Sequence, residues 1–192
     1  MQSLSLFCTL LLLSLYSLTT LAITNIESER LNNFEEGTTG SISLSLDGRI
    51  GASDKIALGT GLKLIRAYRG YELIALMNRD YAEIDDQVNT DESLIHLRYL
   101  TKHSKNWGTE VFTQYQEDRF SALTKRSLVG FGARYTLDEQ LAEGVLQTQA
   151  NHLGFGAFYE EEAYSNSTLD PDQDNIRANL YWAFKNKIAD NI

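Results

Sequence analysis

The sequence predicts an all-β protein, an antiparallel up-and-down barrel of about eight strands. Three observations carry that expectation. Past residue 40 hydrophobicity repeats every second residue, the period of a strand with one apolar face, and not every 3.6 residues as on a helix. The alternating stretches number eight, are about ten residues long and each have one apolar face, which implies antiparallel pairing. The single proline, Pro171, lies outside all of them, as ladder hydrogen bonding requires. Composition sets the outer bounds. The chain has 192 residues, 43% apolar, with 26 acidic and 17 basic side chains and a formal charge of −9. That length suits one domain, and the apolar fraction is too high for a disordered chain. An acidic balance of this size argues against a nucleic-acid surface, which needs a basic field to meet phosphates.

The first element is an address. Met1–Ala22 holds no charged side chain, carries the apolar run Leu10–Leu13, and ends in Thr20-Leu21-Ala22 with small residues at the −3 and −1 positions. It reads as a secretory signal cleaved after Ala22, although its start lacks Lys or Arg. The other reading, a transmembrane anchor, suffers because the run is broken by Ser and Thr and falls short of the ~20 apolar residues a span needs. Cleavage removes Cys8, the only cysteine, so the mature chain forms neither a disulfide nor a thiolate metal site. Residues 23–39 are a polar N-terminal segment, and residues 40–192 form the β domain.

The strands follow in order. Ile42, Leu44 and Leu46 alternate with serines; Ile56, Leu58, Leu62 and Leu64 alternate with Ala57, Gly59, Gly61 and Lys63. Tyr71, Leu73, Ala75 and Met77 face away from Glu72 and Asn78, with Ile74 and Leu76 blurring the pattern. Ile95, Leu97 and Tyr99 oppose His96 and Arg98; Trp107, Val111 and Tyr115 oppose Glu110 and Gln114. Val129, Phe131 and Tyr135 oppose Arg126 and Arg134; Leu153, Phe155 and Tyr159 oppose Gly154, Gly156 and Glu160; Ile176, Leu180, Trp182 and Phe184 oppose Arg177 and Asn179. Val129–Tyr135 is echoed 24 residues later by Leu153–Tyr159, which suggests two equivalent strands of one sheet. The connections at Arg69-Gly70 and His103–Asn106 read as tight, whereas Arg79–Asp91 and Ala163–Asn175 read as long polar loops. Leu137–Ala150 is long where a short turn is expected, and its Leu137, Leu141, Val145 spacing suggests a brief amphipathic helix.

Period alone does not say which face is wet. In a soluble sandwich or lipocalin-like carrier the apolar face turns inward; in an outer-membrane barrel it meets lipid and the lumen is polar. Three features favour the transmembrane barrel. Aromatics recur near the ends of the apolar stripes, and Trp107 and Tyr115 lie about 27 Å apart along a strand, about 20 Å along the membrane normal once tilted, nearly the band that two aromatic girdles bracket. The opposite face mixes charges of both signs with Gly and Gln. Short connections largely alternate with long ones. The expected lumen residues are Lys63, Glu72, Arg98, Glu110, Arg126, Arg134, Glu160 and Arg177.

The stretches Asn89–Tyr99, Trp107–Phe120, Leu128–Tyr135 and Gly154–Glu162 resemble the salt-induced outer-membrane protein family, a domain-of-unknown-function family (481). The likeness covers most of Gly40–Ile192. It implies a Gram-negative outer-membrane barrel without established enzymatic activity, possessing no catalytic or binding residue to transfer. Members run longer and end in an aromatic; Ala189-Asp190-Asn191-Ile192 departs from that, so closure at eight strands and membership of a larger barrel both stay open.

No catalytic, cofactor-binding or metal site is expected. His96, His103 and His152 lack ligand spacing. Asp170-Pro171-Asp172-Gln173-Asp174 alternates carboxylates as calcium loops do, but position six is Asn175 and position twelve Tyr181, so an acidic loop is the better reading. Gly59-x-Gly61, Gly130-x-Gly132 and Gly154-x-Gly156 lack the helix that phosphate loops require. The expected partners are outer-membrane lipid and, during insertion, the barrel-assembly machinery. The expected role is structural or that of a narrow channel linked to salt or envelope stress. The alternative is a soluble periplasmic β-sandwich or lipocalin-like carrier of an apolar ligand.

Overall fold

The computed structural model describes residues 36–141, 147–166 and 171–186; the predicted signal and most of the polar segment that follows it lie outside these residues. Eight strands form one antiparallel sheet in simple up-and-down order: β1 Gly37–Arg49, β2 Lys55–Tyr68, β3 Tyr71–Ile84, β4 Gln87–Lys102, β5 Trp107–Asp118, β6 Leu123–Leu141, β7 Gln147–Tyr164 and β8 Gln173–Asn186. Among the described residues each strand pairs only with its sequence neighbours, and β1 and β8 are the two edges.

Turn chemistry fixes the hairpins. Arg69 and Gly70 both have positive φ (38° and 86°), and so do Asp85 and Asp86 (49° and 61°), the handedness that lets a two-residue turn match the twist of its strands. The second turn overturns one expectation. Arg79–Asp91 is no long loop: β3 and β4 continue through it as a paired hairpin, with Tyr81 opposite Asp91 and one bulge after Ala82. The other long loop shrinks too, since β7 runs to Tyr164 and β8 starts at Gln173. The expected helix is likewise replaced by strand, because Leu137 and Leu141 belong to β6; Val145 lies outside the described residues.

The echoed segments are adjacent strands. They run antiparallel to each other, so Phe131 faces Ala157, Ala133 faces Phe155, and Gly132 faces Gly156. Each large ring therefore has a methyl group opposite it.

One face is apolar and exposed. Phe131 is 66% exposed, Trp182 68% and Leu180 80%, and Leu62, Met77, Ile95 and Val111 share that face. The other face is enclosed and largely polar, with Glu160 and His96 fully buried and Arg98, Glu110, Arg126 and Arg134 nearly so. A single-layer sheet buries one face only by curling around it. The Tyr181 hydroxyl on β8 donates to Glu110 Oε1 on β5 at 3.0 Å, across three strand spacings that would separate them by about 14 Å in a flat sheet. Two small apolar clusters also lie inside: Ile65, Ile74 and Leu76 on β2 and β3, and Phe112, Leu128 and Phe158 on β5 to β7.

Candidate functional site

All eight expected lumen residues lie on the enclosed face. The ladder sets Arg98 opposite Phe112, Glu110 opposite Gly132, Arg126 opposite Glu162, and Arg177 opposite Phe158. Arg134 sits between Gly108 and Gly154, and half-buried Lys63 and Glu72 occupy the β2–β3 side.

The strongest feature is a four-charge cluster on β6, β7 and β8. Arg126 Nε donates to Glu160 Oε2 at 2.9 Å and also lies 3.6 Å from Glu162 Oε1. Arg177 contacts Glu160 through Nε and donates from Nη2 to Glu162 Oε2 at 3.2 Å. Two cations and two anions thus neutralise one another, with Arg126, Glu160 and Glu162 buried and Arg177 partly exposed. Burying such charges costs several kcal/mol per ion unless each is paired, so the square stands or falls together. Sequence reasoning named three of its members and missed Glu162; its place two residues after Glu160 on one face was the available signal.

A second group lies toward the other rim. Arg98 Nη1 donates to Glu110 Oε2 at 3.4 Å, while its guanidinium stands 5.1 Å from the Phe112 ring centre. Glu110 also receives the Tyr181 hydroxyl. Beside them His96 Nδ1 donates to Gln114 Oε1 at 3.0 Å, and the His96 ring stacks on Phe112 at 6.5 Å between centroids. Tyr181 and Gln114 were not singled out from sequence, because no local spacing links them to their partners.

Glycine makes this packing possible. A Cβ on Gly154 would fall on the Tyr181 ring, and one on Gly130 on the Phe112 ring, with the Phe158 Cβ 2.7 Å away. Gly130 and Gly154 are therefore slots for aromatic rings, whereas Gly59 and Gly61 lie against the short polar side chains of Ser45, Asp80, Ser43 and Asn78.

The exposed face carries its own order. On β3, β5 and β7 a Tyr-x-Glu motif repeats, in which the tyrosine hydroxyl donates to the glutamate two residues on: Tyr81 to Glu83 at 3.0 Å, Tyr115 to Glu117 at 3.0 Å, and Tyr159 to Glu161 at 3.2 Å. These strands run the same way, so the three pairs cap one end of the apolar belt. At the other end lie Tyr68, Tyr71 and Tyr99, then Trp107 against Tyr135 at 4.8 Å, and Trp182 donating to Asn151 Oδ1 at 2.6 Å. The Tyr-x-Glu repeat was legible in the sequence and went unread.

Other candidates disperse. His103 bonds Thr109 in a turn, and His152 pairs with Thr136 on the enclosed face. Of the acidic loop, Asp170 lies outside the described residues, Asp172 accepts from the Tyr164 amide at 3.2 Å, and Asp174 faces Glu161 in the ladder. Among the described residues no group of three or more His, Cys, Asp or Glu side chains is placed to hold a metal ion.

Fold and faces define a class: a one-sheet, all-β protein with its charged side inside and its greasy side out. The chain belongs to the family described as "Protein of unknown function, DUF481", whose model matches residues 42–192. No curated protein and no solved structure matches it.

Proposed function

We propose that this chain is a non-enzymatic outer-membrane β-barrel protein, with lipid against its apolar face and a lumen largely filled by ion pairs. The observation that carries the reading is the inversion of faces. Phe131, Phe155 and Leu180 point outward, while Arg98, Glu110, Arg126 and Glu160 are enclosed. In water such an exposed belt is an aggregation surface; against acyl chains it is the ordinary outer wall. The two aromatic ends of the belt match the interfacial girdles of such walls. A soluble carrier of an apolar ligand needs the opposite arrangement, with the aliphatic stripe inside.

The role we assign is structural, with at most a narrow passage, because the Arg–Glu square and stacked rings occupy the interior of β5–β8. The polar ladder edges of β1 and β8 require partners in hydrocarbon, from each other or from further strands. The reading also carries export by the N-terminal signal, a link to salt or envelope stress, and insertion by the assembly machinery. Cell fractionation with heat-modifiable gel migration tests it. Outer-membrane partition with faster migration of the unheated protein is expected; release by osmotic shock as a soluble species overturns it.

A further inference from the structure

On the exposed face of β3–β6, one register step beyond the row Leu62–Met77–Ile95, the surface changes from aliphatic to ionic, while Leu44, Leu46 and Leu58 keep β1–β2 aliphatic. The next row brings Thr60, Arg79, Ser93, Glu117 and Lys125 into line. Here Arg79 Nη2 donates to Asp91 Oδ1 at 2.7 Å, and Arg119 Nη1 donates to Asp91 Oδ2 at 3.0 Å. The two guanidiniums are held side by side on one carboxylate. Asp91 is buried, but the arginine side chains are 53% and 68% exposed.

We propose that Arg79 and Arg119, positioned by Asp91, clamp the phosphate of an anionic membrane lipid. The proposal rests on the outer-membrane reading above. A guanidinium carries five N–H donors in a planar fork suited to phosphate, and each of these commits one to Asp91. Two cations on one anion leave a charge of +1 facing outward. Glu83 and Glu117 keep their own charges while each accepts a tyrosine hydroxyl, and with Lys125 opposite Glu117 this level balances overall, so the grip on a phosphate comes from the unused N–H donors of the two forks. Lys125 itself sits 5.5 Å from the centre of the Tyr115 ring, adding a cation at the same level. Pinning the turn to β4 does not need both arginines, because the Arg119 amide already donates to the Asp91 carbonyl at 3.1 Å. The position is also right for a headgroup: just past the aliphatic belt, level with Tyr81 and Tyr115, where lipid phosphates lie.

The test uses the full chain in phosphatidylcholine vesicles containing phosphatidic acid, with retained lipid read by native mass spectrometry after extraction. The wild type is expected to retain phosphatidic acid over phosphatidylcholine, and Arg119→Gln to lose about tenfold of that preference. Arg119→Lys keeps part of it, and Lys105→Gln in the turn at the opposite rim leaves it unchanged. Equal retention by wild type and Arg119→Gln overturns the clamp, as does displacement of the lipid by excess inorganic phosphate. Protease protection scores insertion separately. A chain that inserts without lipid preference removes the clamp alone, and one that fails to insert removes the outer-membrane reading and the clamp with it.

Discussion

The β5–β8 half of the sheet and β1–β2, the outer strands of the other half, obey the same two-residue alternation, yet they enclose different things. In β5–β8 the inner face carries Phe112, Arg126, Phe158, Glu160 and Tyr181, and glycines between them admit the rings. In β1–β2 it carries Ser41, Ser43, Ser45, Ala57, Gly59 and Gly61 before Lys63 and buried Ile65, and every residue of β1 is exposed. Period 2 decides which side a residue faces; side-chain volume decides whether that side is filled. One half is a packed polar interior whose charges depend on one another. The other is lined by small side chains up to Gly61.

That contrast sets the expected size of each perturbation. Glu160→Ala removes the buried carboxylate that Arg126 and Arg177 share and should cost about 3–5 kcal/mol in urea unfolding followed by tryptophan fluorescence. A loss under about 1 kcal/mol would mean that water reaches the square. Phe131→Arg, on the exposed side of the same half, separates the two environments for that side. In a lipid bilayer it should cost about 2–4 kcal/mol, whereas a soluble sheet would lose less than about 0.5 kcal/mol. Gly154→Ala drives a methyl group into the Tyr181 ring and should cost about 1–3 kcal/mol by the same titration. Gly61→Ala is its counterpart in the open half. There the crowding atoms are Ser43 Oγ and Asn78 Oδ1, ends of short side chains that can rotate away, so the change should stay within about 0.5 kcal/mol. Equal costs at the two glycines would dissolve the distinction between the halves.

The sidedness of the sheet was legible because alternation survives in sequence whenever one face is uniformly apolar. It faded where that condition failed. Beyond Met77 the apolar alternation of β3 lapses at Asn78, Arg79 and Asp80, so Arg79–Asp91 read as a loop although the ladder continues to the Asp85-Asp86 turn. Ile74 and Leu76 blurred β3 for the opposite reason, being apolar residues on the enclosed face. Leu137 and Leu141 are four apart, a spacing that is one helical turn and also two strand periods, so spacing could not arbitrate between them. The charged residues of the enclosed face were found because charge on the inward parity is local information. Their partners were not, because the Arg126–Glu162 and Tyr181–Glu110 meetings depend on register and curvature, which no single strand encodes.

The neighbour-only pairing also bears on how the molecule assembles. Every ladder joins consecutive strands, so no hairpin waits on a distant segment, and pairing can advance along the chain like a zip. The Tyr181–Glu110 bond stands outside that scheme, since it spans 71 positions and forms only after the sheet has bent. It therefore belongs to the final stage of folding, and Tyr181→Phe should leave early hairpin formation untouched while slowing or loosening the last curl.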